Sequence, residues 1–136
     1  NHALSTNSSN VTFDGINVLQ ANFSGITVGS ATGLSLSNAN ISNTGSIGIF
    51  VSASTSATLS NLNISNAGLH GLVVSNSSNQ VYNSVTVAGV GVNGFNLSNV
   101  NIVSGSGNTS SGAGGVDCST SGVTNSTLLV NGASCP

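Results

Sequence analysis

The sequence predicts an all-β solenoid: one domain of about six stacked coils, each of roughly 23 residues. Three observations carry that prediction. Gly25, Gly48, Gly71 and Gly94 recur at intervals of 23 residues. Each is followed by an apolar-x-apolar triplet: Ile26-Thr27-Val28, Ile49-Phe50-Val51, Leu72-Val73-Val74 and Phe95-Asn96-Leu97. A second strand-like run begins twelve residues before each glycine, at Phe13 to Val18, Leu36 to Ile41, Leu59 to Ile64 and Tyr82 to Val87. A fixed period of this size marks a repeat whose unit buries its apolar face only against its neighbours.

Taken in order, residues 1–12 form a polar segment with Ala3, Leu4 and Val11 as its apolar members. It is expected to cover the first coil as an extended cap or to pair with a second subunit. Residues 13–136 form the solenoid domain. Coils start at Phe13, Leu36 and Leu59, and a fourth starts at Tyr82. The motif then returns early, since Leu97-Ser98-Asn99-Val100-Asn101-Ile102 copies Leu59-Ser60-Asn61-Leu62-Asn63-Ile64. The fourth coil therefore reads as eight residues short. The fifth, from Leu97, reads as lengthened by a Gly/Ser-rich insertion, residues 104–115, ahead of Val116-Asp117-Cys118. A last partial coil starts at Val123. Apolar alternation at period two, broken by Gly, Asn and Ser, specifies strands and turns, and no 3.6-residue period is present. Stacked coils at ~4.8 Å would build long parallel sheets.

The period assigns columns. Ile26, Ile49, Leu72, Phe95 and Val116 form one interior row, and Val28, Val51, Val74, Leu97 and Cys118 the next. Val18, Ile41, Ile64 and Val87 form a third, which Ile102 and Leu128 join by motif. Alternation along each strand turns Thr27, Phe50, Val73, Asn96 and Asp117 outward. Phe50 and Val73 are adjacent there and make a small apolar patch for a lateral contact. Asn38, Asn61, Asn99 and Asn125 share one position, and Asn43 and Asn66 another. Asn tolerates left-handed turns, and stacked amides hydrogen-bond to one another along the axis.

This cadence resembles the right-handed parallel β-helix of the pectate-lyase-like type, with its asparagine ladders, over residues 13–130. The resemblance implies a single-stranded right-handed parallel β-helix. It implies little about function, because that fold serves lyases, hydrolases, tailspikes, autotransporter passengers, adhesins and filament proteins. The enzymes of the family gather Asp with Arg or Lys. This chain has no Lys or Arg, and its acids are Asp14 and Asp117 alone. Placed on coils one and five, these lie on the order of 20 Å apart, beyond the separations used in glycoside hydrolysis. His70 precedes a turn glycine, with no serine in a nucleophile-elbow context. His2 lies in the N-terminal segment. The Gly-rich stretch from Gly105 to Gly115 lacks the Lys and following helix of a phosphate loop. No catalytic, cofactor or metal residue is expected.

Composition narrows the partners. Charged residues make up 1 % of the chain and hydrophobic residues 38 %. A chain without Lys or Arg lacks the basic footprint of nucleic-acid binding, and no apolar run approaches the ~20 residues of a membrane-spanning helix. Cys118 and Cys135 are expected to form one disulfide that pins the tail over the last coil, as suits an exported protein. Glycosylation sequons begin at Asn7, Asn10, Asn22, Asn40, Asn63, Asn76, Asn96, Asn108 and Asn125. The expectation is an extracellular, non-enzymatic structural subunit at the cell surface. It would polymerise with itself by end-to-end stacking or strand donation into a filament or pilus-like fibre. The alternative is an adhesin, autotransporter-passenger or tailspike module that binds glycans along its outer face.

Overall fold

The computed structural model describes residues 1–135, apart from the side chain of Ile102. Every regular element is a strand: β1 Leu4–Thr6, β2 Thr12–Asp14, β3 Asn17–Val18, β4 Ile26–Gly29, β5 Ser35–Thr44, β6 Ile49–Ser52, β7 Thr58–Ala67, β8 Leu72–Ala88, β9 Phe95–Ser111, β10 Cys118–Ser121, β11 Thr124–Val130 and β12 Ala133–Ser134. All pair parallel except β11 with β12. On one face the rungs follow Leu4↔Ile26↔Ile49↔Leu72↔Phe95↔Cys118, six rungs joined by five turns. On another they follow Thr12↔Ser35↔Thr58↔Val81↔Ser104↔Thr127. Strands β8 and β9 run through both faces without a break.

Corners recur at the same period because residues that tolerate positive φ recur. One column is Ser30, Ala53, Asn76, Asn99 and Gly122; another is Gly15, Asn38, Asn61, Ser84 and Gly107. Asn10, Gly33, Ser56, Asn79 and Asn125 form a third, and Asn43, Asn66, Gly89 and Gly112 a fourth. A further corner is made by glycines at Gly25, Gly48, Gly71 and Gly94. A Cβ on Gly48 would lie 2.3 Å from Ile64 Cγ2 and 2.7 Å from Gly71 O. No side chain fits there, which is why the 23-residue glycine signal is so regular.

The core is the set of predicted columns. Ile26, Ile49, Leu72 and Phe95 are fully buried, as are Val28, Val51, Val74 and Leu97. Each such side chain contributes roughly 1.5–3 kcal/mol of transfer free energy against the chain entropy of ordering it.

Five expectations are corrected. The fourth coil is not short, because Ser77 pairs with Val100, Val81 with Ser104 and Ala88 with Ser111, all in the 23-residue register. For the same reason residues 104–115 are not an insertion: Ser104 to Ser111 are the second half of β9. The Asn column is also redrawn. Asn99 stacks on Asn76, to whose Oδ1 it donates at 3.2 Å, while Asn61 and Asn38 form their own ladder. At the last coil Cys118, rather than Val116, follows Phe95, so Ser119 replaces Asp117 above Asn96 and Val116 faces solvent. Leu128 pairs with Gly105 and belongs to the Leu36–Leu59–Tyr82 column. Ser110 follows Val87 in the third row. The assignment of Ile102 to that row concerns a side chain outside the described residues.

The terminal segments are simple. Leu4–Thr6 lies in the plane of the first rung, paired to Ile26–Val28, rather than across the end of the stack. At the other end, Asn131 and Gly132 (φ 55 and 75) make a two-residue hairpin that folds β12 back on β11. Cys135 is joined to Cys118 by a disulfide with a Cα–Cα distance of 5.7 Å.

Candidate functional site

No pocket opens among the described residues, and the surfaces they present are the outer face of the coils and the two ends. That surface consists of columns. Above Thr27 stand Phe50, Val73, Asn96 and Ser119, all half-buried and outward. On the neighbouring sheet Asn40 Nδ2 donates to Asn17 Oδ1 at 2.9 Å, and Thr109 Oγ1 donates to Thr86 Oγ1 at 3.3 Å. At the corners Asn61 donates to Asn38, and Asn66 to Asn43, both at 3.3 Å. Rung spacing sets these contacts, and they leave an exterior of amides and hydroxyls.

The few titratable groups are dispersed. Asp14 is fully exposed on the first coil. Its Oδ1 accepts from Ser37 Oγ and Asn38 Nδ2, both at 2.7 Å, and these bonds hold its carboxyl below the usual range. Asp14 thereby starts the Asn38–Asn61 ladder. Asp117, on the fifth coil, accepts from Asn131 Nδ2 at 3.0 Å. His70 sits in the glycine corner, where partial burial lowers its pKa and its Nδ1 accepts the Asn93 N–H at 3.2 Å. Among the described residues no hydrogen bond joins it to a carboxylate or a serine, and no three His, Cys, Asp or Glu side chains gather into a metal-ligand cluster.

The sequons are sorted by burial. Asn7, Asn10, Asn22, Asn40, Asn63, Asn76 and Asn125 are exposed, and Asn96 is half-buried. Asn108 is not an acceptor site in the folded chain. It is 2 % exposed, and its Nδ2 donates to Tyr82 O and Leu129 O at 2.8 and 3.2 Å while its Oδ1 accepts the Val85 N–H. A glycan on its Nδ2 would replace one of these two donations and would have to be seated at a side chain with almost no exposure.

One surface feature escaped the sequence reading. Phe23, in the corner before Gly25, is 60 % exposed, and its ring lies against His2 with centroids 6.3 Å apart. Its repeat mates Ser46, Leu69 and Val92 hydrogen-bond in series at that corner, and the column mixes serine with apolar residues, unlike the Ile26–Phe95 and Val28–Leu97 core columns.

Across residues 2–132 the chain matches the family model described as a right handed beta helix region. The chain belongs to the right-handed β-helix family. No curated relative matches this β-helix. Among solved structures it is similar to the periplasmic alginate epimerase AlgG, with 17% identity, a TM-score of 0.64 and 94% of this chain covered. A point mutant of AlgG gives 18% identity and the same TM-score of 0.64. The β-helix spans only 36% of the AlgG chain. The mannuronan C-5 epimerase AlgE6 A-module of Azotobacter vinelandii is a weaker match, at 11% identity and TM-score 0.48, covering 93% of this chain and 55% of that one. These likenesses concern the fold.

Proposed function

We propose that this β-helix is a non-catalytic, extracytoplasmic glycan-binding scaffold that holds a neutral polysaccharide along its outer face. The observation that carries the reading is the ladder surface, in which Ser, Thr and Asn columns repeat in register at about 4.8 Å. Amides and hydroxyls both donate and accept, which matches the hydroxyls of a neutral sugar. A uronate or sulfate would instead call for Arg or Lys, and the chain has neither. The fold shared with an alginate epimerase supports a glycan setting, and a disulfide suits an oxidising compartment. Catalysis by paired carboxylates needs two acids within about 5–9.5 Å, and Asp14 and Asp117 stand on coils one and five.

The test is affinity electrophoresis of the native protein through gels containing cellulose derivatives, mannan, xylan or polymannuronate. Retardation by at least one neutral polymer, and none by polymannuronate, is expected. Unchanged mobility in every neutral gel refutes the reading.

A second reading, a self-assembling surface filament, is favoured by the first coil. There β1, β2 and β3 hydrogen-bond to a neighbouring strand on one side only, and Leu4, Val11, Phe13 and Ile16 are half-buried. An edge of that kind accepts a strand from another chain.

A further inference from the structure

We infer that the corner where Phe23, His2 and Thr27 meet is the aromatic platform of a neutral-sugar subsite. The inference rests on the glycan-binding reading above and adds where a sugar ring is seated. Phe23 is not explained by the fold. Phe23 is 60 % exposed, and the equivalent corner of the following coils is built in turn with Ser46, Leu69, Val92 and Gly115, none of them aromatic. The corner closes with serine or glycine as well as with an aromatic, so its backbone does not require the ring, which adds solvent-facing apolar surface beside His2.

Its surroundings have the mixed character that a sugar requires. The His2 imidazole stands beside the Phe23 ring at 6.3 Å, tilted by 49°, so the two rings form an open wedge. His2 Nδ1 and Thr27 Oγ1 are 3.0 Å apart, which fixes the imidazole against the β4 strand. Among the described residues His2 Nε2 makes no hydrogen bond and remains available to a ligand. Thr27 in turn pairs with Phe50, and Phe50 with Val73, so the wedge continues into a half-buried apolar column that ends at Asn96. A pyranose has weakly positive C–H faces and a polar rim. Its face packs on the electron-rich face of Phe23, and its rim hydroxyls reach His2 Nε2 and the Thr27 hydroxyl. No Lys or Arg stands there to favour an acidic sugar.

The test uses the full chain and two probes, cellohexaose and mannohexaose, titrated by calorimetry and by NMR of the aromatic side chains. One hexasaccharide is expected to bind, with shifts of the Phe23 ring and His2 imidazole resonances. Phe23→Ala should weaken binding at least tenfold, Phe23→Leu less, and Leu69→Ala, farther along the corner, no more than twofold. Far-UV circular dichroism should be unchanged, since the Phe23 ring is outside the core. If the wild type binds and Phe23→Ala binds within twofold of it, this subsite is wrong while the glycan-binding reading stands. If the wild type binds neither probe nor any neutral polymer, the underlying reading fails and takes the subsite with it. If Phe23→Ala abolishes self-association in sedimentation and leaves sugar binding untouched, the corner is a contact between copies and the inference is overturned.

Discussion

Tyr82 is the largest fully buried side chain among the described residues, and the coil above carries Gly105 in the same column, close against the Tyr82 backbone. Gly105 has φ 150, and a Cβ there would lie 1.7 Å from Tyr82 O. Gly105→Ala should therefore destabilise the fold by about 3 kcal/mol or more, read as a lower urea midpoint in equilibrium unfolding. A smaller effect, under about 1 kcal/mol, would mean that the column yields more readily than its packing implies. The Tyr82 hydroxyl donates to Gln80 Oε1 at 3.2 Å, and burial raises its pKa well above the ordinary value, so it stays neutral. Gln80 Nε2 donates to Ser78 O at 2.8 Å and Ser54 O at 3.2 Å, which satisfies an amide with no exposure to water. The period assigns Gln80 to the column of Leu34 and Ala57. Two of its partners, Ser78 and Tyr82, are two residues away along the chain, whereas the third, Ser54, lies one coil away and is invisible to local sequence.

At the level of elements, the informative error is the motif at Leu97 to Ile102. It copies Leu59 to Ile64 in sequence but pairs with the strand that follows Leu72, because Val74↔Leu97 and Ser75↔Ser98 are already locked by the preceding rungs. Ladder continuity outweighs local similarity, since a slip would misplace every inward side chain of β9. The Asn131-Gly132 hairpin was legible, as Asn-Gly between alternating apolar residues is a strong turn signal, and it lay unused in the tail. That hairpin presents Cys135 to Cys118. Closing the loop across a sequence separation of 17 contributes ~3 kcal/mol in the chain-entropy model. Cys135→Ser should lower the melting temperature and raise amide exchange first in β11 and β12, with β4 to β7 unaffected. Uniform acceleration across all coils would show instead that the solenoid opens as one unit.

For the whole molecule, rungs contact only adjacent rungs, so stability is close to a sum over neighbours and the ends are the weak points. The last coil is tied by β12 and the disulfide, whereas the first has one open side. If the open side recruits a second copy, negative-stain microscopy over a concentration series should show rods lengthening in steps of one chain. Rods of constant length at every concentration would remove the filament reading and leave the outer face as the functional surface. With no Lys or Arg and only Asp14 and Asp117 as acids, either behaviour should depend little on salt.

The sequence by itself determined the 23-residue period, the interior columns from Ile26 to Phe95 and from Val28 to Leu97, the parallel stacking and the absence of a cationic surface. These are legible because each rung carries its own alternation and each corner its own glycine or asparagine, so local pattern and fold agree. Only the tertiary structure decided that residues 104–111 continue the stack, that Asn108 is interior while the other eight sequons reach the surface to differing degrees, and that Phe23 faces water beside His2. Each of those outcomes depends on which residue lies one coil above or below, and that pairing is selected by the hydrogen-bond ladder of the assembled solenoid rather than by neighbours along the chain.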